Sequence, residues 1–400
     1  MGRNPIENKI RVAHPERFVA FQRNDGSDLG YLAVDTTIGG VCGGGVRAIP
    51  YISKLDLCHL AQAMTRKYAF LGIPVGGAKA AVLTTSAGPN REKDLTDFGT
   101  CLRPHTRSYS PGKDLGIDIH DLQLIFSAAG LQGRKTVIDS GFYTGFSVMI
   151  AAEESAGQQP MELNDCTVAI EGFGSVGKWA GRFLHNRGCR VVAASTTRGA
   201  VYNPDGLDVH KLCRLRSRYG DQCIAKYGDA DHIRKEDLLL LPVDILVPCA
   251  LSWSIRMSNA DRISARMIIP GANNPVTDAA EDRLTDRGVL CFPDFVSNCG
   301  GVLGSMFESA YLGYASSLSL IEKKLRPKIR HLLKCSLNNT GAVAVQAEAL
   351  AEENLSRLRH GSHDPFRRIY PLVWKFYRSG LIPNGVIRKC AGMYMQAIIR

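Results

Sequence analysis

The chain has 400 residues, 45% hydrophobic and 22% charged, a globular composition long enough for about two domains. Its 49 Lys+Arg outnumber its 38 Asp+Glu for a net charge of +11, and the excess is uneven: residues 311–400 hold fifteen basic and five acidic residues, which is +10 of that total. No run of roughly 18 apolar residues exists to cross a membrane, and MGRNPIENKIRVAHPERF has no apolar core of a secretory signal, so a cytoplasmic protein without a membrane partner is expected.

Residues 1 to about 135 mix short strand and helix patterns around a glycine cluster at 39–45. Apolar Leu55, Leu57, Leu60, Ala61, Met64, Tyr68 and Leu71 recur near helical spacing, which predicts an amphipathic helix over residues 52–71, closed by Gly72 with Pro74 beyond. Next comes Gly76-Gly77-Ala78-Lys79-Ala80-Ala81-Val82. A lysine with such small flanks has few bulky neighbours, and partial desolvation there would lower its pKa toward acid–base use. Taken alone, a surface lysine is the commoner reading of such a residue.

From about 140 to 310, apolar strand-like runs alternate with helical patterns, which argues for a parallel sheet with crossover helices. TVAI (167–170) reads as a strand running into Gly172-Phe173-Gly174-Ser175-Val176-Gly177, then a helix through Trp179 and Phe183 to about Arg187, closed by Gly188. RVVAAS (190–195) is the second strand. This is G-x-G-x-x-G in a strand–turn–helix–strand setting: Gly172 for the tight turn, Gly174 for approach of a pyrophosphate, Gly177 for close helix–strand packing. The helix N-terminus, with Ser175 and Val176, offers backbone N–H groups to the phosphates. The second strand ends Ser195-Thr196-Thr197-Arg198 without the acid that usually holds an NAD ribose. Hydroxyls followed by an arginine suit a 2′-phosphate, so NADP is favoured over NAD through Thr196 and Arg198.

Residues 311–400 read mainly as helices, interrupted near Gly361-Ser362-His363-Asp364-Pro365. Their positive charge fits a face turned to solvent or to a partner subunit; no nucleic-acid motif accompanies it, and no nucleic-acid partner is expected. Twelve cysteines, from Cys42 to Cys390, form no C-x-x-C pair and no zinc spacing, so reduced thiols and no metal are expected. The fold class is α/β: an N-terminal α/β substrate domain (1–138), a Rossmann dinucleotide-binding domain (139–310) and a helical C-terminal segment (311–400).

Read in order, GGGVR (43–47), MTRKYAFLGIPVGGAK (64–79), KDLG (113–116), YTGFSV (143–148), GFGSVG (172–177), GANN (271–274) and PDFVSNCGGVLGSMFE (293–308) resemble the glutamate/leucine/phenylalanine/valine dehydrogenase family. VYNPDGLD (201–208) is similar to its glutamate dehydrogenases in particular, and the resemblance spans about residues 28–310. It implies reversible NAD(P)-dependent oxidative deamination of an L-amino acid, through an imine and a carbinolamine, to a 2-oxo acid and ammonia. It also implies a homo-oligomer and an active site between substrate and Rossmann domains.

Roles follow position by position. Lys67 of MTRK matches the lysine that holds the substrate α-carboxylate, Lys79 of GGAK the catalytic lysine, and Asp114 of KDLG the aspartate that carries protons to and from the amino group. Gly44 and Gly45 would bring backbone close to the substrate. Asn273 matches an asparagine beside nicotinamide and ribose, Thr144 a contact of the nicotinamide amide, Ala250 a further cofactor-side position, and Asn298 lies in the substrate-contacting NxGG turn. Arg47 reads equally as structural.

Two departures bear on substrate. Gly43 stands where glutamate dehydrogenases carry the lysine that pairs with the glutamate side chain, whereas Ser305 matches their serine. A buried carboxylate without a partner is expensive, so a substrate other than glutamate is expected, a bulky or aromatic one using the volume that Gly43 frees, with Ser305 near a polar tip. Lys113, just before Asp114, either tunes that carboxylate or points away. The alternatives are a family member with altered imine or amine chemistry and a non-catalytic nucleotide-binding protein.

Overall fold

The computed structural model describes residues 14–85, 90–131, 139–159, 161–309, 312–338 and 342–360. These form two compact units, one from residues 14–131 and 348–360, the other from 139–347.

The first unit is built on a five-stranded sheet of β1 (Arg17–Gln22), β2 (Asp28–Val34), β3 (Cys42–Ile49), β4 (Gly76–Leu83) and β5 (Tyr109–Lys113), in the order β1-β2-β4-β3-β5. β2 is antiparallel to β1 and β4, while β3 is parallel to β4 and β5. The strand period of two divides the side chains. Cys42, Val46 and Ala48 of β3 join Ala78, Ala80 and Val82 of β4 in a core with α2 (Arg91–Leu102) and α3 (Ile119–Ala128). Phe98 in that core meets Phe21 edge-on at 5.5 Å. The opposite face packs Tyr31, Ala33 and Ala81 against Leu57, Leu60 and Ala61 of α1 (Lys54–Leu71).

The predicted helix over 52–71 begins two residues late because Ser53 caps it, its hydroxyl accepting from the Asp56 N–H at 3.0 Å. It stops at Gly72, whose φ of 69° is the left-handed conformation that closes a helix, and the Ile73 N–H returns to the Tyr68 carbonyl at 2.8 Å.

The second unit holds seven strands: β6 (Thr167–Glu171), β7 (Arg190–Thr196), β8 (Gly199–Tyr202), β9 (Asp231–Ile233), β10 (Ile245–Pro248), β11 (Met267–Ile268) and β12 (Leu290–Cys291). Their order is β12-β11-β10-β6-β7-β8-β9, parallel from β12 to β7, with β8 and β9 added antiparallel. Successive connections run outward from β6 to β9 and then return to β10 on the other side of β6. That reversal makes the carboxyl ends of β6 and β10 the switch point where such sheets bind ligands. Helices α4 (Ser140–Ala156) and α5 (Gly177–Asn186) pack together because Gly141 and Gly145 leave room for the Ser175 and Trp179 side chains.

Helix Tyr314–Asn338 packs on α4, where a part-buried ionic cluster forms around the buried Glu154. Arg326 donates to Glu154 at 2.6 Å and to Glu153 at 2.8 Å, and Arg330 reaches Glu154 at 2.5 Å. Arg326 therefore neutralises carboxylates of its own unit rather than facing solvent, and Arg330 does so from an exposed position. Of helix Val343–His360, the part from 348 onward belongs to the first unit, where Arg359 donates to Thr36 Oγ1 at 3.0 Å. The expected interruption at Gly361–Pro365, with Cys390, lies outside the described residues. Among the described residues no group of His, Cys, Asp and Glu is arranged to hold a metal, and no helix is long and apolar enough to cross a membrane.

Candidate active site

Three charged side chains meet on the α1 face of the first unit's sheet. Lys79 Nζ lies 2.6 Å from Asp114 Oδ2, and Arg47 Nε donates to the same oxygen at 3.1 Å. Lys79 projects from β4, Arg47 from β3, and Asp114 directly follows β5, so the strand order β4-β3-β5 makes the cluster. Lys79 is buried, at 4% exposure. The small residues around it in β4 allow this depth, and the surface reading of this lysine is set aside. Burial pulls its ammonium below the ordinary lysine range; Asp114 opposes that shift and Arg47 reinforces it. Burial would by itself raise the Asp114 carboxyl, but the charges of Lys79 and Arg47, with hydrogen bonds from Lys79 and the Leu115 N–H, hold it well below the usual carboxylate range. Lys113 is exposed, and the charges that set Asp114 are those of Lys79 and Arg47. The sequence left Arg47 undecided because its partner lies on another strand.

The glycines of β3 have separate reasons. A Cβ on Gly44 would lie 1.7 Å from the Ala78 carbonyl oxygen, and one on Gly45 would lie 2.7 Å from Asp114 Cβ. Both therefore let neighbouring protein close in. At Gly43 the volume is not free, which corrects the sequence expectation: a Cβ there would come within 2.8 Å of the Tyr68 hydroxyl oxygen. Tyr68 lies in α1 beside Lys67, which is buried at 6% exposure rather than on a solvent-facing side of the helix. On the paired strand Gly77 makes room for Thr65, whose hydroxyl donates to Asp35 at 2.5 Å and accepts from the Gly77 N–H at 3.2 Å.

The second unit carries the glycine-rich turn at the switch point. Gly172 has φ of 87°, and a Cβ on it would strike Ala250, which follows β10, at 2.8 Å. A Cβ on Gly177 would lie 2.1 Å from the Gly172 carbonyl oxygen, so this glycine seats α5 on β6. Gly174 differs: apart from its own chain neighbours, nothing lies within 4 Å of a Cβ placed there. No side chain caps α5: the Lys178 N–H bonds to the Gly174 carbonyl at 3.2 Å and the Trp179 N–H to the Val176 carbonyl at 3.0 Å, so the positive end of the helix dipole lies next to Gly174. Ser175 is exposed and Val176 half-buried beside it. These observations fit a pyrophosphate.

At the end of β7, Thr196 is buried and its hydroxyl donates to the Asp221 carbonyl at 2.8 Å, while Thr197 and Arg198 are exposed. The expected absence of an acid holds for the strand only. The Asp221 carboxylate reaches this place from a turn far along the chain, accepts from the Thr197 hydroxyl and is paired with Arg216. A second carboxyl that the sequence reading passed over, Glu171 at the end of β6, is pushed up to about 7 by burial, against a 2.9 Å hydrogen bond from Ser254.

Asn273 and Asn298 are brought together. Asn298 Nδ2 donates to the Ala272 carbonyl at 2.8 Å and to Asn273 Oδ1 at 3.2 Å. Its own Oδ1 is buried and meets no hydrogen-bond donor. A buried acceptor in this state is costly unless a ligand completes it. Thr144 is buried on α4 and donates to the Ser140 carbonyl at 2.8 Å; a Cβ on Gly301 would touch it, so it borders the NxGG turn. Ser305 is half-buried in the helix Gly300–Ser309 that follows.

Residues 16–127 match the Glu/Leu/Phe/Val dehydrogenase dimerisation domain, and residues 139–355 match the Glutamate/Leucine/Phenylalanine/Valine dehydrogenase domain. The chain belongs to this dehydrogenase family. Three relatives from Halobacterium salinarum are glutamate dehydrogenase B, 33% identical over 74% of this chain and 75% of its own, an NAD-specific glutamate dehydrogenase A, 30% over 74% of each, and an NADP-specific glutamate dehydrogenase A1, 31% over 74% and 78%. Among solved structures, the fold is similar to hetero-hexameric glutamate dehydrogenase from Thermus thermophilus in its Leu-bound form (TM-score 0.76, 24% identity, 87% and 90% coverage). It is also similar to L-tryptophan dehydrogenase from Nostoc punctiforme (TM-score 0.64, 20% identity, 88% and 98% coverage). The protein is thus an oxidoreductase acting on CH–NH2 with NAD or NADP, an amino-acid dehydrogenase of two-domain α/β fold.

Proposed function

We propose that this amino-acid dehydrogenase works through Lys79 and Asp114, on a substrate held by Lys67, with a preference for an amino acid other than glutamate. The buried Lys79–Asp114 contact at 2.6 Å carries the reading. Gly172, Gly174, Ser175, Val176 and Gly177 would hold the cofactor diphosphate, Thr196 and Arg198 its ribose end, and Ala250, Asn273 and Thr144 its nicotinamide half. The nicotinamide, when bound, accepts the hydride that leaves the substrate α-carbon.

The remaining steps are proton transfers by this chain's own residues. Lys67 fixes the α-carboxylate as a point charge. Asp114, kept ionised by Lys79 and Arg47, takes a proton from the substrate ammonium, because only a free amine can support loss of hydride. The iminium so formed is attacked by water. Lys79, whose ammonium burial pulls below the ordinary lysine range, acts as the base in its neutral form, takes the proton from that water and then stands as an ammonium beside the new oxygen. Asp114 returns its proton to the amino group, which departs as ammonia while the Asp114 carboxylate takes the hydroxyl proton and the carbonyl forms. The Asn298 Oδ1 acceptor is suited to a substrate or carboxamide N–H.

NADP is favoured over NAD because Arg216 already neutralises Asp221, which leaves the exposed Arg198 as a cation at the ribose end. A homo-oligomer is proposed from the match to a dimerisation domain. The test is absorbance at 340 nm with NAD+ or NADP+, the twenty L-amino acids and ornithine. Turnover of a neutral amino acid above glutamate is the expected result. Highest kcat/KM on glutamate would overturn the substrate assignment, and silence across the panel would overturn the reaction.

A further inference from the structure

We infer that Glu171 is a positioning residue for the cofactor: as a neutral carboxylic acid it ties the end of β6 to the loop that supports Asn273, and the cofactor binds this protonated form. This rests on the assignment of the cofactor site above.

The loop after β10 is a bridge in which three consecutive residues reach three different neighbours. The Ser252 hydroxyl donates to the Asn273 carbonyl at 2.9 Å, the Trp253 N–H to the Asn274 carbonyl at 2.8 Å, and the Ser254 hydroxyl to Glu171 Oε2 at 2.9 Å. The start of the loop is held as well, where the Cys249 N–H donates to the Glu171 carbonyl at 2.7 Å. Trp253 and Asn274, with φ of 63° and 49°, are the two non-glycine residues in left-handed backbone among the described residues. Such strain persists only where surrounding bonds over-determine it. The bridge therefore fixes Ala250 and Asn273 together, and Ser254–Glu171 is its side-chain tie to β6.

Glu171 is also placed to feel the diphosphate. It directly precedes Gly172, and the open position Gly174 is three residues on. Three extended residues span about 10 Å, and this turn is tighter, because the Gly174 N–H returns to the Gly172 carbonyl at 2.9 Å. An ionised Glu171 would meet the diphosphate as a like charge at a distance that salt screens only in part. Little around it offsets that charge. Ile170 packs against Gly177 and Gly181 of α5, so Glu171, the next residue, is on the opposite face of the sheet from that helix and its Lys178 and Arg182. Lys235, on the short helix Lys235–Leu238, acts on Glu171 from a distance and is paired with Glu236 at 3.8 Å. The Cys249 thiol beside it is pushed up by burial and by Glu171 itself, and stays neutral. From β7 comes the uncharged Ser195, whose hydroxyl accepts from the Gly172 N–H at 3.0 Å. Burial then pushes the Glu171 carboxyl up to about 7, so both of its forms are populated near neutrality.

The experiment measures the Kd of the full chain for NADH and NADPH by fluorescence titration from pH 6 to 8.5, for wild type, Glu171→Gln and Ser254→Ala. Glu171→Gln keeps the shape and the acceptor for Ser254 but has no charge to gain. Its Kd should match wild type within about twofold at pH 6, and the ratio of wild-type to variant Kd should rise to about tenfold or more by pH 8.5, as the protonated, binding-competent fraction of wild type shrinks. Taking the ratio cancels titration of the NADPH 2′-phosphate. Ser254→Ala should weaken binding about fivefold at pH 6, where the carboxyl is neutral and the tie alone is lost. Calorimetry at pH 7.5 in two buffers of different ionisation heat should show wild type taking up about half a proton more per NADH than Glu171→Gln. A Kd ratio that stays flat with pH, equal proton uptake by the two proteins, or a Ser254→Ala variant that binds as wild type does at pH 6 would overturn the inference while leaving the cofactor site standing. No binding of either cofactor at any pH would overturn both.

Discussion

The two units solve opposite problems with opposite materials. In the first, the proposed chemistry rests on side-chain charges: Lys79 and Arg47 come from two strands and Asp114 from just past a third, paired around a buried Lys79. In the second, the proposed binding surface is mostly backbone, a turn in which Gly172 and Gly177 are forced by packing and Gly174 is left open. A backbone site is governed first by volume, a charge cluster first by the charges that pair within it. The same contrast explains why glycine recurs in both units for different reasons.

The contrast can be broken from either side. Lys79→Ala should have the largest effect on turnover, a loss of about 10³-fold or more in kcat, with cofactor affinity by fluorescence titration within about twofold. A parallel loss of cofactor binding would show that the two sites are not independent. Gly174→Val should do the converse, weakening cofactor binding by about a hundredfold while thermal unfolding stays close to wild type, because its side chain enters space that no protein atom fills. Gly177→Val, by comparison, should destabilise the fold by about 1–3 kcal/mol or more, since its side chain strikes the Gly172 carbonyl.

Arg47→Met sharpens the electrostatic half. Burial raises the Asp114 carboxyl and the two cations lower it, so removing one raises its pKa. The acid limb of the kcat/KM profile should therefore move to higher pH, with activity at the alkaline plateau less affected. An unmoved acid limb would sever Arg47 from Asp114. The sign for stability is the same: a carboxyl depressed in the folded state stabilises above its unfolded pKa, and this is lost as pH falls toward the folded value. The smallest expected effect is at the ribose end, where Thr196→Asp should shift the NADP/NAD ratio of kcat/KM toward NAD by about tenfold. An unchanged ratio would remove Thr196 from cofactor choice.

The difference between the units also decided what was legible in the sequence. Gly172, Gly174 and Gly177 lie within one turn and follow a strand, so spacing alone placed them. The helix after Ser53 and its stop at Gly72 were equally local. Arg47 was left undecided because nothing near it in sequence announces Asp114, which lies across β3 and β5. Asp221 was missed for the same reason: the expectation of no acid at the end of β7 considered only residues next to the strand. Gly43 was misread as open volume because an absent side chain says nothing of which neighbour fills the space, here Tyr68 from α1. The NxGG turn was found through resemblance, but the unsatisfied Asn298 oxygen is visible only once Ala272 and Asn273 have taken its amide hydrogens.

The adjacent glycines Gly43 and Gly44 carry one more consequence. A methyl group at 44 meets a backbone carbonyl that has nowhere to go, whereas a methyl at 43 meets the far end of a tyrosine that can swing aside. One step along the strand thus separates a position where a side chain would displace the sheet itself from one where it would displace only another side chain. For an evolving lineage, the second is open to change and the first is closed.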